Sequence, residues 1–170
     1  MKDIVNGKRI LLGLMSRGGM IIFNLFTFAV AIFSAFTLVS LFMNPANNIK
    51  EVDDILNAIA TIFVGYGVAL EERETIFRIF GSVGSGVRAV EEKLNHLSHD
   101  YGLMFLVIAL FVEITSEIVK IPELTMKTPY LEETMVITGI SLTLYLLAQL
   151  FAFTIKVAHA ADGCEIKNSN

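Results

Sequence analysis

The feature that most constrains this chain is an uncharged stretch from Gly18 to Ile49, which contains no Lys, Arg, Asp or Glu in 32 residues. Its centre, from Met20 to Met43, is almost entirely apolar. The hydrocarbon core of a bilayer is about 30 Å thick, and a helix crosses it with roughly 20 apolar residues. The sequence therefore predicts a membrane-spanning helix here, in a chain that is 54% hydrophobic and only 18% charged.

Three further segments are apolar enough to cross a membrane, which gives four predicted spans over about 20–43, 54–72, 101–121 and 134–157. Backbone polar groups cannot stay unpaired in lipid, so each span should be an α-helix. We therefore predict an all-α fold, a polytopic integral membrane four-helix bundle. Residues 1–170 are expected to form a single membrane domain.

The longest connection, about 73–100, joins the second and third spans and is predicted to be a short helical connection in the cytoplasm. Residues Glu71 to Phe80 are expected to extend the second helix beyond the membrane. The glycines of Gly81–Gly86 predict a break, because each glycine weakens a helix by roughly 1 kcal/mol. Val87 to His99 then predicts a short, separate polar helix. Its charged residues and those of the 71–74 run are expected to form a solvated collar at the membrane surface, and the alternative is a docking face for a partner subunit.

Basic residues predict the orientation of the spans. Ten of the 13 Lys and Arg residues lie in the N-terminal segment, in the connection 73–100 or in the C-terminal tail. The other three, Lys50, Lys120 and Lys127, lie in the remaining two loops. The positive-inside rule then places the N- and C-termini in the cytoplasm, which agrees with an even number of spans. We expect a cytoplasmic-type membrane, either an inner or a plasma membrane.

Two carboxylates fall inside the third span. Glu113 and Glu117 are four residues apart and share a helix face, and Lys120 follows within one turn. Ionisable groups at this depth cost several kcal/mol and usually mark an ion or proton pathway, for which these three residues are our candidates. The alternative is that Glu117 pairs with Lys120 near the interface while a protonated Glu113 bonds to another helix. Its candidate partners are Asn57, Thr61, Ser141 and Thr143.

All three histidines, His96, His99 and His159, lie on the predicted cytoplasmic side. His96 and His99 are three residues apart and would share one helix face. Imidazole groups, together with nearby carboxylates, can bind a transition metal, so the three histidines are candidate metal or haem ligands. The alternative is that they are amphipathic residues at the membrane surface. The sequence favours no particular cofactor.

Small or polar residues recur every four positions in the second span, at Asn57, Thr61, Gly65 and Ala69. Within a membrane, such a stripe lets another helix approach closely. The overlapping tetrapeptide Val64–Gly67 also matches the core of a potassium-channel selectivity filter. Phe63 rather than Thr precedes it, and it lies inside a span. We therefore interpret this region as a helix-packing face.

The sequence offers no serine, cysteine or threonine with a recognisable base and orienting partner. We therefore predict a non-enzymatic integral membrane protein that is self-associating or an accessory subunit of a larger membrane complex. Its expected partners are the lipid bilayer and either itself or another membrane subunit, and a net charge of -4 gives no indication of nucleic-acid binding. Two alternatives stay open: a proton or small-cation channel or transporter that uses Glu113, and a metal- or haem-binding protein that uses the histidines.

Overall fold

The computed structural model describes residues 10, 12–42, 49–80, 88–121 and 130–160. Within these ranges the main helices are α1 (Arg17–Phe42), α2 (Ile49–Glu71), α3 (Arg73–Phe80), α4 (Arg88–Val119) and α5 (Leu131–His159). The described residues contain no strand. Helices α1, α2, α4 and α5 are each long and apolar enough to cross a membrane. The prediction of an all-α, four-helix membrane bundle is confirmed.

The helices around the longest connection differ from the sequence prediction in one respect. Helix α3 continues α2 as expected, because Glu72 N donates to Val68 O at 3.0 Å and Ile76 N donates to Glu72 O at 2.9 Å. The prediction of a separate polar helix over 87–99 is wrong, since α4 runs unbroken from Arg88 into the membrane. No glycine or proline interrupts residues 88–101, so nothing ends the helix there. The predicted glycine break at 81–86 lies outside the described residues.

The core of the bundle lies among α2, α4 and α5, with the most extensive contact between α2 and α4. Phe63, Phe105 and Phe153, one from each helix, are fully buried. The rings of Phe63 and Phe153 meet that of Phe105 nearly edge-on, with centroids 5.4 and 6.0 Å away. Aromatic pairs prefer such tilted arrangements, so these three rings fix the centre of the bundle.

Two glycines bring the backbones of α2 and α4 into contact. A Cβ placed on Gly67 would lie 2.8 Å from Gly102 O and 2.9 Å from Leu106 N. A Cβ placed on Gly102 would lie 2.9 Å from Gly67 O. Small residues at a crossing point permit this close approach. Gly67 and Gly102, neither of them part of the predicted stripe, therefore serve the packing of the chain on itself.

Helix α1 lies at the edge of the bundle and packs mainly on α5. Its outward face is strongly apolar, and the side chains of Phe26, Phe33 and Phe36 are all exposed. In water a surface of this kind would drive aggregation. In a bilayer the same surface contacts lipid tails, which is consistent with the membrane location that the helix lengths indicate.

Candidate functional site

One buried arginine organises the inner end of the bundle, which is the end that holds the start of α1 and the C-termini of α2 and α5. Arg73, the first residue of α3, is 0% exposed. Its Nε donates to Met15 O at 3.1 Å, and its two amino groups donate to Glu91 Oε2 at 2.6 Å and to Asn95 Oδ1. Its guanidinium also lies 4.6 Å from the ring centroid of Phe77. The expectation that this charge run is a solvated collar is therefore wrong for Arg73, because the guanidinium joins α3, α4 and the residues before α1.

A second arginine fixes the start of α1 to the end of α5. Arg17 Nε donates to Val157 O at 3.2 Å, and one of its amino groups donates to Ala158 O. These carbonyls lie in the last turn of α5, where a helix leaves carbonyl groups without intrahelical partners. A cation at this position also interacts favourably with the helix dipole. The contact is structural and holds α1 at the edge of the bundle.

An open groove of about 680 Å³ lies beside Arg73 and carries two of the predicted metal ligands. It is lined by Glu71, Glu74, Glu91, Glu92, Asn95, His96 and His99. His99 Nδ1 lies 2.9 Å from Glu71 Oε1. The structure therefore brings His96 and His99 to one surface that is rich in carboxylates.

The third predicted ligand, His159, does not line this groove. Its Nδ1 lies 2.9 Å from Ile155 O of its own helix, near the C-terminus of α5. In the part of the chain that the structure describes, no three His, Cys, Asp or Glu side chains are placed to hold one metal ion. A metal or haem site formed by the three histidines stays a prediction from the sequence.

A polar bridge in the inner half of the bundle joins three helices. Tyr66 Oη on α2 donates to Asn24 Oδ1 on α1 at 2.5 Å, and Asn24 Nδ2 donates to Thr154 Oγ1 on α5 at 2.9 Å. Thr154 Oγ1 in turn donates to Leu150 O. Satisfied hydrogen bonds of this kind tie membrane helices together. Of these three residues, only Tyr66 belongs to a motif noted in the sequence, the tetrapeptide Val64–Gly67. That tetrapeptide is regular α-helix and does not have the extended backbone of a selectivity filter.

The outer end of the bundle, opposite Arg73, carries an ion-pair cluster. Lys120 Nζ lies 2.9 Å from Glu117 Oε1 and 3.9 Å from Asp53 Oδ2. The Glu117 side chain is 62% exposed, whereas that of Asp53 is only 4% exposed. Glu117 and Lys120 are candidate residues of an ion pathway, and the alternative is that they pair with each other near the interface. The structure shows that pairing. Sequence reasoning missed Asp53 as a further member, because its contact with α4 depends on how the helices pack.

Glu113 lies half-buried on the side of α4 that faces α2. Fourteen residues before it, His99 pairs with Glu71 of α2, and seven residues after it, Lys120 faces Asp53. Residues seven or fourteen apart lie on nearly the same side of a helix, which places Glu113 between these two contacts. The Glu113 side chain makes no hydrogen bond or ion pair with any described residue, including its four candidate partners. Its role in an ion or proton pathway stays a prediction.

The predicted packing stripe divides between two surfaces of α2. Thr61, Gly65 and Ala69 line an open apolar groove of about 390 Å³ between α1 and α2. A Cβ placed on Gly65 would meet nothing within 4 Å. Asn57 does not line this groove. Each step of four residues rotates about 40° around a helix, so the first member of the stripe has turned towards α4.

Four features of the described residues thus offer a basis for assigning function: the Arg73 cluster, the Tyr66–Asn24–Thr154 bridge, the Asp53–Lys120 cluster and the α1–α2 groove. No family model, no curated protein and no solved structure matches this chain.

Proposed function

We propose that this chain is a non-enzymatic membrane subunit that associates, through the α1–α2 groove, with a helix of a second copy of itself. The observation that carries the proposal is the contrast between two glycines of α2. Gly67 is covered by the backbone of α4, whereas Gly65 faces the open groove. A lipid-exposed surface of small residues lets a further helix approach closely, so the Gly65 surface suits a contact between chains.

The lining of the groove also suits a helix. Its walls include Phe23 of α1 and Tyr66 of α2, whose rings pack at a tilt with centroids 4.5 Å apart. The Thr61 hydroxyl donates to Asn57 O of its own helix at 2.9 Å. Helix association in lipid depends on van der Waals packing, because lipid tails are as apolar as the side chains they replace. A smooth groove with a small-residue floor maximises that packing.

We also propose that the inner end of the bundle faces the cytoplasm. Of the eight described basic residues, six belong to this end by their positions in the helices: Arg17, Arg73, Arg78, Arg88, Lys93 and Lys156. The other two, Lys50 at the start of α2 and Lys120 just after α4, belong to the outer end. This distribution supports a topology in which both termini are cytoplasmic, in an inner or plasma membrane.

Replacing Gly65 by leucine is expected to separate the copies, because the new side chain would occupy the groove. Ala148→Leu is the matched control, since Ala148 is exposed on α5 and does not line the groove. Energy transfer between donor- and acceptor-labelled copies in lipid vesicles measures the association. We expect Gly65→Leu to weaken it at least about tenfold, or about 1.4 kcal/mol, and Ala148→Leu to leave it unchanged. A parent protein that stays monomeric at every protein-to-lipid ratio would show the proposal to be wrong.

A further inference from the structure

Three buried oxygen atoms near the outer end have no hydrogen-bond partner among the described residues. They are Asp53 Oδ1 and Asn57 Oδ1 of α2 and Ser116 Oγ of α4. Asn57 follows Asp53 by one helical turn, and the Ser116 hydroxyl lies close enough to interact with the Asp53 carboxylate. Buried polar atoms are almost always paired with protein, water or an ion, so three of them in one region indicate a polar ligand.

Among the described side chains, Lys120 is the basic one that reaches this region, and it does not pair with any of these three oxygen atoms. Its Nζ lies 2.9 Å from Glu117 Oε1 but 3.9 Å from Asp53, at the limit of an ion pair. The contact is with Asp53 Oδ2, which leaves Oδ1 without a partner. Lys120 is therefore held mainly by Glu117, and the buried side of the Asp53 carboxylate is available to a second cation.

We propose that Asp53, Asn57 and Ser116 bind a sodium ion between α2 and α4. Their free atoms are carboxylate, amide and hydroxyl oxygens, the kinds of oxygen that hard cations prefer. Together they carry one negative charge, which matches a monovalent ion, whereas calcium takes six to eight oxygens and usually several carboxylates. A Cβ on Gly139 of α5 would lie 3.1 Å from Leu56 Cδ1 of α2 and from Thr115 Oγ1 of α4, the residues next to Asn57 and Ser116. Side chains therefore pack tightly around the proposed site, which favours sodium over the larger potassium ion.

Glu113 adds negative potential on the approach to this site. It lies one turn before Ser116, on the side of α4 that faces α2. A second carboxylate in a low-dielectric region raises the local concentration of cations. The sodium site is separate from the α1–α2 groove and does not depend on association between copies.

The test is thermal unfolding of the full-length protein in lipid nanodiscs, in NaCl, KCl or choline chloride at equal ionic strength. When sodium is about tenfold above its dissociation constant, NaCl should raise the unfolding midpoint by about 4 °C relative to both other salts. Asp53→Asn is expected to abolish this shift. Asp54→Asn, which changes the exposed neighbour on the same helix, is expected to retain it.

A second measurement keeps the test decisive where Asp53→Asn folds poorly. Ser116→Ala removes one neutral ligand and should lower the affinity for radioactive sodium at least about fivefold, with the parent binding one ion per chain. Equal unfolding midpoints of the parent protein in the three salts would overturn the assignment. A sodium shift that Asp54→Asn removes as completely as Asp53→Asn does would overturn it as well.

Discussion

Gly67→Ala is expected to destabilise the bundle by about 1–3 kcal/mol, the usual cost of forcing extra atoms into a well-packed core. The new Cβ would lie 2.8 Å from the carbonyl oxygen of Gly102 and 2.9 Å from the amide nitrogen of Leu106. Both are backbone atoms, which cannot rotate away as a flexible side chain can. Helices α2 and α4, the pair with the most extensive contact in the bundle, would therefore have to move apart.

Gly65→Ala is the matched control, because it makes the same chemical change two residues away in the same helix. A Cβ at Gly65 meets nothing within 4 Å, and alanine is the better helix former by roughly 1 kcal/mol. Reversible unfolding in mixed micelles, at dilutions where the protein is monomeric, gives both free energies. Gly67→Ala should lower the free energy of unfolding, and Gly65→Ala should leave it unchanged or raise it. Equal losses for the two variants would refute a glycine-dependent contact between α2 and α4.

The second large effect is expected at Arg73. Arg73→Met keeps much of the apolar stem but removes the hydrogen bonds to Met15 O, Asn95 and Glu91. Breaking a buried ion pair from one side costs about 3–5 kcal/mol. The Glu91 side chain is 21% exposed, so water can rehydrate part of its charge, and we expect a loss of about 3 kcal/mol.

Arg78→Met provides the comparison for this loss, because Arg78 is exposed on the same short helix. Its cost should stay within about 0.5 kcal/mol, as is usual for surface positions. Hydrogen exchange of the α3 amides is a second readout, since Arg73 ties α3 to α4 and to the residues before α1. Exchange should accelerate in Arg73→Met and not in Arg78→Met. A similar effect of both substitutions would mean that Arg73 does not organise the inner end.

The helical spans could be predicted from the sequence because a bilayer imposes a minimum apolar length on each of them. The buried state of Arg73 could not. Arg73 is the one basic residue in the charged run 71–74, and the local pattern does not indicate that it will face inward and meet Glu91 and Asn95 on α4. That choice depends on the rotation of α2 about its own axis, which tertiary packing decides.

Tertiary packing also decides which small residue of α2 contacts a neighbouring helix. Gly65 and Gly67 both fit a pattern of small residues, yet they lie about 200° apart around α2. The four-residue spacing selects Gly65, whereas the structure places Gly67 against α4. Likewise, the sequence explains Asp53 as an acidic residue that interacts favourably with the dipole at the start of a helix. Only the packing of α2 on α4 shows that its carboxylate is buried and that one of its oxygen atoms has no described partner.

The functional proposals for this chain all assume four membrane crossings, and the proposed topology adds that the inner end faces the cytoplasm. Single cysteines at Asn47 and Ser85, both outside the described residues, test this topology once Cys164, the only native cysteine, is replaced by serine. A membrane-impermeant maleimide is added to sealed cells and, separately, to permeabilised ones. We expect the cysteine of Asn47→Cys to be labelled from the outside, and that of Ser85→Cys only after permeabilisation. Labelling of Ser85→Cys in sealed cells would contradict the topology.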